Sequence, residues 1–131
     1  VSPATEALQK VGIMDDMDEN FKLLFSNDKE QIKNTLDAMD SQTPLIVFDE
    51  ENGYRLAEYD LSLMSDQAIN LNYVNLQGIS SQATLADAFD ILKDKRSGAL
   101  YVYNLLDNQQ IMGLLRWDQI HHILTIRNSL L

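Results

Sequence analysis

The residues best suited to chemistry in this sequence form an acidic cluster near its start: Asp15, Asp16, Asp18 and Glu19. Carboxylate oxygens are preferred ligands of Ca²⁺, and the stretch from Asp16 begins like a calcium-binding loop. Such a loop needs glycine at its sixth position and glutamate at its twelfth, where this sequence has Phe21 and Asn27. The cluster therefore indicates a solvated acidic turn rather than a metal site.

Other reactive side chains lack the partners that chemistry requires. His121 and His122 are adjacent, so on a helix they point about 100° apart and cannot bind one metal from one face. Ser80 and Ser81 have no activating residue nearby. The sequence contains no nucleophile–base pair, phosphate-binding glycine loop or zinc-ligand spacing. We expect a protein that is not an enzyme.

Composition narrows the class of partner. The chain has 131 residues, 45% of them hydrophobic, which suffices for one compact domain or two closely packed halves. Its net charge of -10 opposes binding to nucleic acid, because phosphates would be repelled. It has no cysteine, which excludes disulfides and thiolate metal sites. No apolar run approaches the roughly 20 residues that cross a bilayer, so we expect no membrane insertion by this segment.

Two segments of the chain have the same order of predicted elements. The first runs from Asp28 to Leu61 and the second from Thr84 to Ile120. Each begins with a helix-capping residue and continues through an amphipathic helix, an apolar strand, a polar turn and a second strand. An internal repeat of this size indicates one supersecondary unit used twice, with the two copies packed on each other.

In the first copy, Asp28 and Gln31 have the spacing of a capping box. A helical stripe of apolar residues follows, made of Ile32, Leu36 and Met39. Residues 45–48 predict a buried strand, because they are apolar, with β-branched and aromatic members. A turn ending at Gly53 and a returning strand over residues 55–61 complete a predicted hairpin.

The second copy repeats this pattern. Thr84 and Asp87 predict a cap, and the helix is predicted to end at Ser97 and Gly98. Further expected elements are a strand over 100–103, a turn over 105–110, a strand over 111–115 and a helix containing Ile120, Ile123 and Leu124. The connector, 66–83, has regularly spaced apolar residues and is predicted to be packed. We divide the chain into a lead-in, 1–12, a first unit, 13–66, and a connector with the second unit, 67–131.

This pattern resembles a tandem pair of CBS domains, or Bateman module. Residues 83–92 resemble the opening helix of that family, 99–104 its central strand and 111–120 its closing strand, glycine and helix. The first copy is more diverged, although 11–24 resembles the usual entry to the first helix. The resemblance implies an α/β fold of two CBS units, each a small three-stranded sheet with flanking helices, related by a pseudo-two-fold axis.

Within the family, the connector and the ending 113–120 resemble those of bacterial ClC-type chloride channels and antiporters. The resemblance implies a cytoplasmic regulatory and dimerisation domain of a membrane ion transporter, a chloride channel or chloride/proton antiporter. Its partners would be the transmembrane portion of that protein and a second copy, bound through the CBS helices. Its location would be the cytoplasmic face of the cell membrane.

The resemblance also raises nucleotide binding, since many CBS pairs bind adenine nucleotides between their two copies. In the family pattern, a Ser or Thr after the closing strand and an Asp three residues later bind ribose. The second copy has Arg116 and Gln119 at these positions, with Asp118 one place early, and the first has Asp60 and Leu63. Neither copy keeps the pair. Arg116 suits a phosphate by its fork geometry, or it pairs with a local carboxylate such as Asp118, which we favour.

The alternative function is a ligand-sensing CBS module that binds an adenosine nucleotide or Mg²⁺, attached to another transporter or acting as a soluble protein. The resemblance places seven residues along its cleft: Thr43, Pro44, Leu45, Gly98, Ala99, Arg116 and Gln119. A purely structural tether without ligand is a third possibility. The residues alone establish no cofactor and no metal.

Overall fold

The computed structural model describes residues 11–60, 70–95 and 98–129, with side chains as far as Ile126. In chain order, its elements are a 3₁₀-helix Ile13–Asp15, β1 Lys22–Phe25, α1 Lys29–Ala38, β2 Leu45–Asp49, β3 Gly53–Tyr59, β4 Leu71–Ser80, α2 Leu85–Leu92, β5 Ala99–Asn104, β6 Asp107–Arg116 and α3 Trp117–Ser129. Hydrogen bonds join the strands in the order β1-β2-β3-β4-β5-β6. None of the helices in these ranges is both long and apolar enough to cross a membrane.

The chain divides into two compact units. The first unit is Asn20–Leu76, and the second unit combines Val1–Glu19 with Gln77–Leu131, so β4 contributes to both. This division differs from the predicted boundaries of 13–66 and 67–131. Backbone hydrogen bonds explain the difference at the start, because Ile13 N–H donates to Ala83 O and Leu85 N–H donates to Val11 O. The acidic segment is therefore part of the second unit.

The first unit is built around a strand–helix–strand crossover. β1 runs parallel to β2, β2 and β3 form an antiparallel hairpin, and β3 pairs with the first part of β4. Gly53, which opens β3, has a φ of 70°, a backbone conformation that glycine adopts without strain. The core between α1 and the sheet contains Ile32, Leu45, Val47 and Ala57, with Leu24, Leu36, Met39, Leu71 and Tyr73 packed against it. The predicted stripe, strand and turn are confirmed.

The predicted capping box of α1 is wrong in one of its two residues. Asp28 caps the helix, because its Oδ1 accepts from Glu30 N–H at 3.0 Å. Gln31 does not reach back to Asp28, and its Oε1 instead accepts from the Ser26 hydroxyl at 2.8 Å. The Asp28 N–H donates to Ser26 Oγ at 3.0 Å, so a serine before the cap replaces the expected glutamine.

The second unit has the larger set of buried apolar residues in the described part of the chain. Thr84 and Asp87 form the complete predicted capping box at the start of α2. The buried core contains Ile13, Met17, Ile79, Leu85, Ala86, Ala88, Leu92, Leu100, Val102, Leu115 and Ile120. The predicted packing of the connector is confirmed where the structure describes it, because β4 is a strand and Ile79 is buried.

Two element ends in the second unit were predicted wrongly. The turn between β5 and β6 is Leu105 and Leu106 alone, so β6 begins at Asp107 rather than at residue 111. Register shifts after Val102 and Tyr103 adjust the pairing on the way to this short turn. Helix α2 ends at Leu92, earlier than predicted. The lead-in 1–10, Leu61, Leu63, Ile69 and Ser97 lie outside the described residues.

A short segment before β1 crosses the outer strand of the second unit. Asp18 N–H donates to Leu114 O at 2.7 Å, and Leu114 N–H donates to Asp18 O at 2.9 Å. Met17 lies directly over Gly113, where an added Cβ would be 2.5 Å from the methionine sulfur. The absence of a side chain at Gly113 therefore permits this close approach.

Candidate ligand-binding site

The seven predicted site residues fall into two groups, one in each unit. Thr43, Pro44 and Leu45 belong to the first unit, at the start of β2. Gly98, Ala99, Arg116 and Gln119 belong to the second unit, around the junction of β6 and α3. Each group is assembled by hydrogen bonds within its own unit.

The structure brings together the four residues of the second unit. Ala99 and Arg116 are directly paired across β5 and β6. Gly98 lies beside them, because its carbonyl oxygen accepts from Trp117 N–H at 3.1 Å. Gln119 closes the group, since its Oε1 accepts from Arg116 N–H at 2.7 Å. Residues distant in sequence thus meet where a strand passes into a helix.

Gln119 helps to cap α3, a role that its position in the sequence was not used to predict. It is the third residue of α3, and its hydrogen bond to Arg116 N–H is the returning half of a capping box. Its own N–H donates to Asp118 Oδ1 at 3.1 Å. The spacing of Arg116 and Gln119 is the signal that could have identified this role. The side-chain oxygen of Gln119, Oε1, is therefore already hydrogen-bonded to the Arg116 N–H at the start of α3.

The interpretation that Arg116 pairs with Asp118 is wrong. Among the described residues, the salt bridges are Arg55–Asp49 and Lys93–Asp90. The guanidinium of Arg116 therefore has no carboxylate partner within that part of the chain, and its side chain is half-buried. A cation in this setting, at the N-terminal end of a 13-residue helix, favours an anion nearby.

The group in the first unit is held by its own loop. Pro44 O accepts from Lys22 N–H at 2.9 Å, which fixes the start of β2 against β1. The Thr43 hydroxyl donates to Asp40 Oδ2 at 3.3 Å and accepts from Asn20 Nδ2 at 3.4 Å. Leu45 is buried in the core. Of the three side chains, only Thr43 offers a polar atom, and that atom already has two partners.

A polar cluster under the sheet of the first unit was not predicted. Arg55 Nη2 lies 3.5 Å from Asp49 Oδ1, and the guanidinium lies over the Tyr73 ring at 4.1 Å. Asn52 Nδ2 donates to both carboxylate oxygens of Asp49, at 3.2 and 3.0 Å. Arg55 Nε is buried and has no hydrogen-bond partner in the described part of the chain. The side chains of Arg55 and Asp49 are only 15% and 10% exposed, so this ion pair is largely removed from water.

The geometry supports a metal site neither at the acidic cluster of residues 15–19 nor at His121 and His122. In residues 11–60, 70–95 and 98–129, no three His, Cys, Asp or Glu side chains lie close enough to hold a metal ion. His121 and His122 are exposed, and the His121 ring lies 6.2 Å from that of Trp117. Trp117 also packs against Phe89, with ring centroids 5.6 Å apart, at the edge of the core.

Known proteins resemble this chain in structure rather than in sequence. The sequence matches no family model and no curated protein. The structure matches a CBS domain from Clostridium difficile 630 with a TM-score of 0.61 at 12% identity, over 92% of this chain and 98% of that one. The chain has the fold of a CBS-domain pair. The order strand, helix, strand, strand occurs twice along the described chain, as β1-α1-β2-β3 and as β4-α2-β5-β6, and accounts for the repeated sequence pattern.

Two further CBS structures share this fold. A CBS-domain pair from Klebsiella pneumoniae with bound AMP matches with a TM-score of 0.54 at 12% identity, covering 88% of this chain and 99% of that one. The CBS domain of a bacterial CNNM/CorC family Mg²⁺ transporter matches with a TM-score of 0.57 at 10% identity, covering 93% and 84%. These likenesses confirm the predicted α/β fold of tandem CBS units.

Proposed function

We propose that this chain is a regulatory and dimerisation domain of a membrane ion transporter. The observation that supports the proposal is the CBS-pair fold, which this chain shares along nearly its whole length with a domain of an Mg²⁺ transporter. The domain would regulate transport through a change of conformation. A ligand that binds one conformation of a domain more tightly shifts the population towards that conformation. We place the domain on the cytoplasmic face of the cell membrane, joined to the transmembrane part of the same protein.

The transported ion has two candidates. The resemblance of 113–120 to the endings of ClC-type proteins supports chloride transport. The structural likeness to a CNNM/CorC domain supports Mg²⁺ transport. Flux of each ion through the complete protein, measured in liposomes with the other ion as control, separates the two.

The transporter proposal itself is tested by reading the open reading frame that contains this chain. We expect membrane-spanning segments in the same polypeptide. A complete polypeptide without such segments would contradict attachment to a transporter, and would leave the soluble ligand-sensing module as the function.

A second candidate function is nucleotide sensing through Arg116. Its guanidinium lacks a carboxylate partner among the described residues and can bind phosphate through two parallel hydrogen bonds. The AMP bound to the Klebsiella pneumoniae CBS pair supports an adenine nucleotide as the ligand. Since Gln119 is engaged in capping α3, we expect phosphate rather than ribose to dominate recognition.

A thermal-shift titration with AMP, ADP, ATP and Mg²⁺ tests this second function. A ligand at about 100 times its dissociation constant stabilises the native state by roughly 2.7 kcal/mol. The shift should vanish in Arg116→Ala and persist in Lys95→Ala, which removes one positive charge from an exposed site in the same unit. No shift with any nucleotide, or equal shifts in both variants, would contradict nucleotide sensing through Arg116.

We also propose that the chain forms a homodimer through its CBS helices. Helix α3 supports this role, because it exposes Ile126 by 45% in a largely polar stretch. Symmetric dimers are the commonest soluble homo-oligomers. Analytical ultracentrifugation of Ile126→Glu should give a smaller mass than wild type. An unchanged mass would exclude this part of α3 from the interface.

A further inference from the structure

The outer edge of β1 offers backbone groups for another strand. β1 is the terminal strand of the described sheet. Lys22 N–H and Ser26 N–H donate to Pro44 O and Phe48 O, so alternate residues of β1 direct their backbone towards β2. Leu23 and Phe25 therefore direct their N–H and C=O groups away from it. Among residues 11–60, 70–95 and 98–129 no strand pairs with this edge, and an edge without a partner strand is a template for strand addition.

Protective features are few along this edge. β1 contains no proline, and its register with β2 is continuous over all four residues. Lys22 is the single charged residue in the strand. Edge strands that avoid pairing are usually very short or carry prolines, bulges or charges, lysine above all. β1 has two of these features, its length of four residues and Lys22, but neither a proline nor a bulge.

Aromatic side chains extend the edge into an apolar surface. Phe25 is 66% exposed, and its ring meets that of Phe48 edge-on, with centroids 5.9 Å apart. Phe48 in turn contacts Tyr54 at 4.6 Å. Side chains alternate along a strand, so Leu23 shares this face with Phe25, whereas Leu24 packs on the opposite side against the core beneath α1. The row of apolar side chains thus ends at the edge strand of the sheet, as far as the structure describes the chain.

We infer that two copies of this chain pair through β1, antiparallel, with a two-fold axis at Leu24. In an antiparallel pair, the outward-directed residues of one strand must oppose the outward-directed residues of the other. This register places Leu23 of each copy opposite Phe25 of the second copy, twice, on the aromatic face. Leu24 of one copy then faces Leu24 of the other as a non-hydrogen-bonded pair.

A second copy fits this edge because the strand is complementary to itself. Both apolar residues of the open face, Leu23 and Phe25, find apolar partners in the antiparallel register. Each Lys22 lies opposite Ser26 of the second copy, so the two lysines stand at opposite ends of the pair. No carboxylate lies within Lys22–Phe25, so no two carboxylates oppose each other across the paired strands. This interface is separate from the proposed helix interface and does not depend on it.

Sedimentation of the whole chain tests the pairing with a charge-matched control. Phe25→Glu and Leu106→Glu each replace an exposed apolar side chain by a carboxylate, since Leu106 is 94% exposed at the tip of the β5–β6 turn. We expect Phe25→Glu to raise the dissociation constant for self-association about tenfold or more, corresponding to 1.4 kcal/mol. Leu106→Glu should leave it unchanged. Equal effects of both variants, or a wild-type chain without self-association, would overturn the proposal.

The register is tested by a single cysteine, because the chain has none of its own. Cα atoms of a non-hydrogen-bonded antiparallel pair lie about 4.5 Å apart, within the range that a disulfide spans. Leu24→Cys should therefore give a covalent dimer under mild oxidation, faster than Leu106→Cys, although residue 106 is far more exposed. Faster cross-linking at 106 would overturn the register. If Leu24→Cys does not unfold cooperatively, Phe25→Glu against Leu106→Glu decides.

Both experiments are repeated in the Ile126→Glu background. Association through β1 should persist there, whether or not Ile126→Glu weakens a helix interface. Loss of the Phe25 effect in that background would assign the association to the helices and overturn pairing through β1.

Discussion

The two units share one order of elements but differ in the chemistry of their interiors. The second unit buries an almost wholly apolar set against its sheet, including Leu85, Leu100 and Leu115. The first unit places the Arg55–Asp49 pair on the same side of its sheet as α1, where Val47 and Ala57 are core residues. One supersecondary pattern is therefore compatible with two kinds of interior, provided that the apolar stripe of the helix is kept.

The largest loss of unfolding free energy is expected when a buried apolar side chain of the second unit is shortened. Leu100 is fully buried, so Leu100→Ala should lower the free energy of unfolding by about 2–5 kcal/mol, through lost transfer energy and a residual cavity. Leu105→Ala, at a residue that is 56% exposed, should cost less than about 0.5 kcal/mol. Urea denaturation followed by circular dichroism measures both. Similar losses at both residues would contradict the apolar-core description.

The ion pair of the first unit should give the next largest effect. Asp49→Ala leaves Arg55 largely buried without its carboxylate, which should cost about 2–4 kcal/mol. The double variant Asp49→Ala with Arg55→Met should recover much of this loss, because no unpaired charge then remains. Urea denaturation of Asp49→Ala, Arg55→Met and the double variant measures the coupling free energy between the two side chains. A double variant with the summed losses of both single variants would show that the two side chains act independently.

The close contact between Met17 and Gly113 is a further test of packing in the second unit. A Cβ at this position would approach Met17 Sδ to 2.5 Å and Cγ to 2.7 Å, so Gly113→Ala should destabilise by about 1–3 kcal/mol as the methionine is displaced. Gly12→Ala is the control, because nothing lies within 4 Å of its added Cβ. Thermal unfolding compares them. If both alanines behave alike, the contact between Met17 and Gly113 is not important for stability.

Removing a helix-capping side chain should lower the free energy of unfolding by a smaller amount, and by different amounts in the two units. Asp87→Ala breaks the complete box at the start of α2 and should cost roughly 0.5–1 kcal/mol. Gln31→Ala, at the equivalent residue of α1, should cost less, because Gln31 accepts from the Ser26 hydroxyl and makes no hydrogen bond of its own to the Asp28 N–H. Denaturation at neutral pH checks the order of the two losses. The reverse order would contradict the observed difference between the caps.

Tyr59 gives the stability of the first unit a pH dependence that is confined to alkaline pH. Burial of the hydroxyl, followed by its hydrogen bond to Asp37 and the charge of that carboxylate, raises the pKa of Tyr59 to about 12. The folded pKa exceeds the ordinary value of 10.0, so the stabilisation is complete below pH 10 and is lost as pH rises through 12. Tyr59→Phe should lose less stability over that range than wild type. Parallel pH profiles would show that Tyr59 does not contribute.

Periodicity and capping spacing predicted most of the fold. The stripe of α1, strand β2, the turn at Gly53 and the box of Thr84 and Asp87 all depend on local rules that operate within a few residues. The errors arise where distant residues decide. Residues 13–19 join the second unit because of hydrogen bonds to Ala83 and Leu114, which local spacing does not reveal.

The candidate site was less predictable than the fold. The grouping of Gly98, Ala99, Arg116 and Gln119 follows from the hairpin register, which bulges after Val102 and Tyr103. The roles of Arg116 and Gln119 depended on partners, and the expected partner Asp118 instead accepts from a backbone N–H. A charged residue in a strand, such as Arg55, gives no sign in sequence of whether it is buried with a carboxylate.

The central claim, regulation of a transporter by this CBS pair, is tested most directly by ion flux. The complete protein that contains this chain would be reconstituted in liposomes, with and without residues 11–129, and flux measured with and without adenine nucleotide and Mg²⁺. We predict that removing the domain changes the flux or abolishes its response to ligand. Identical flux and an identical ligand response in both proteins would contradict the account.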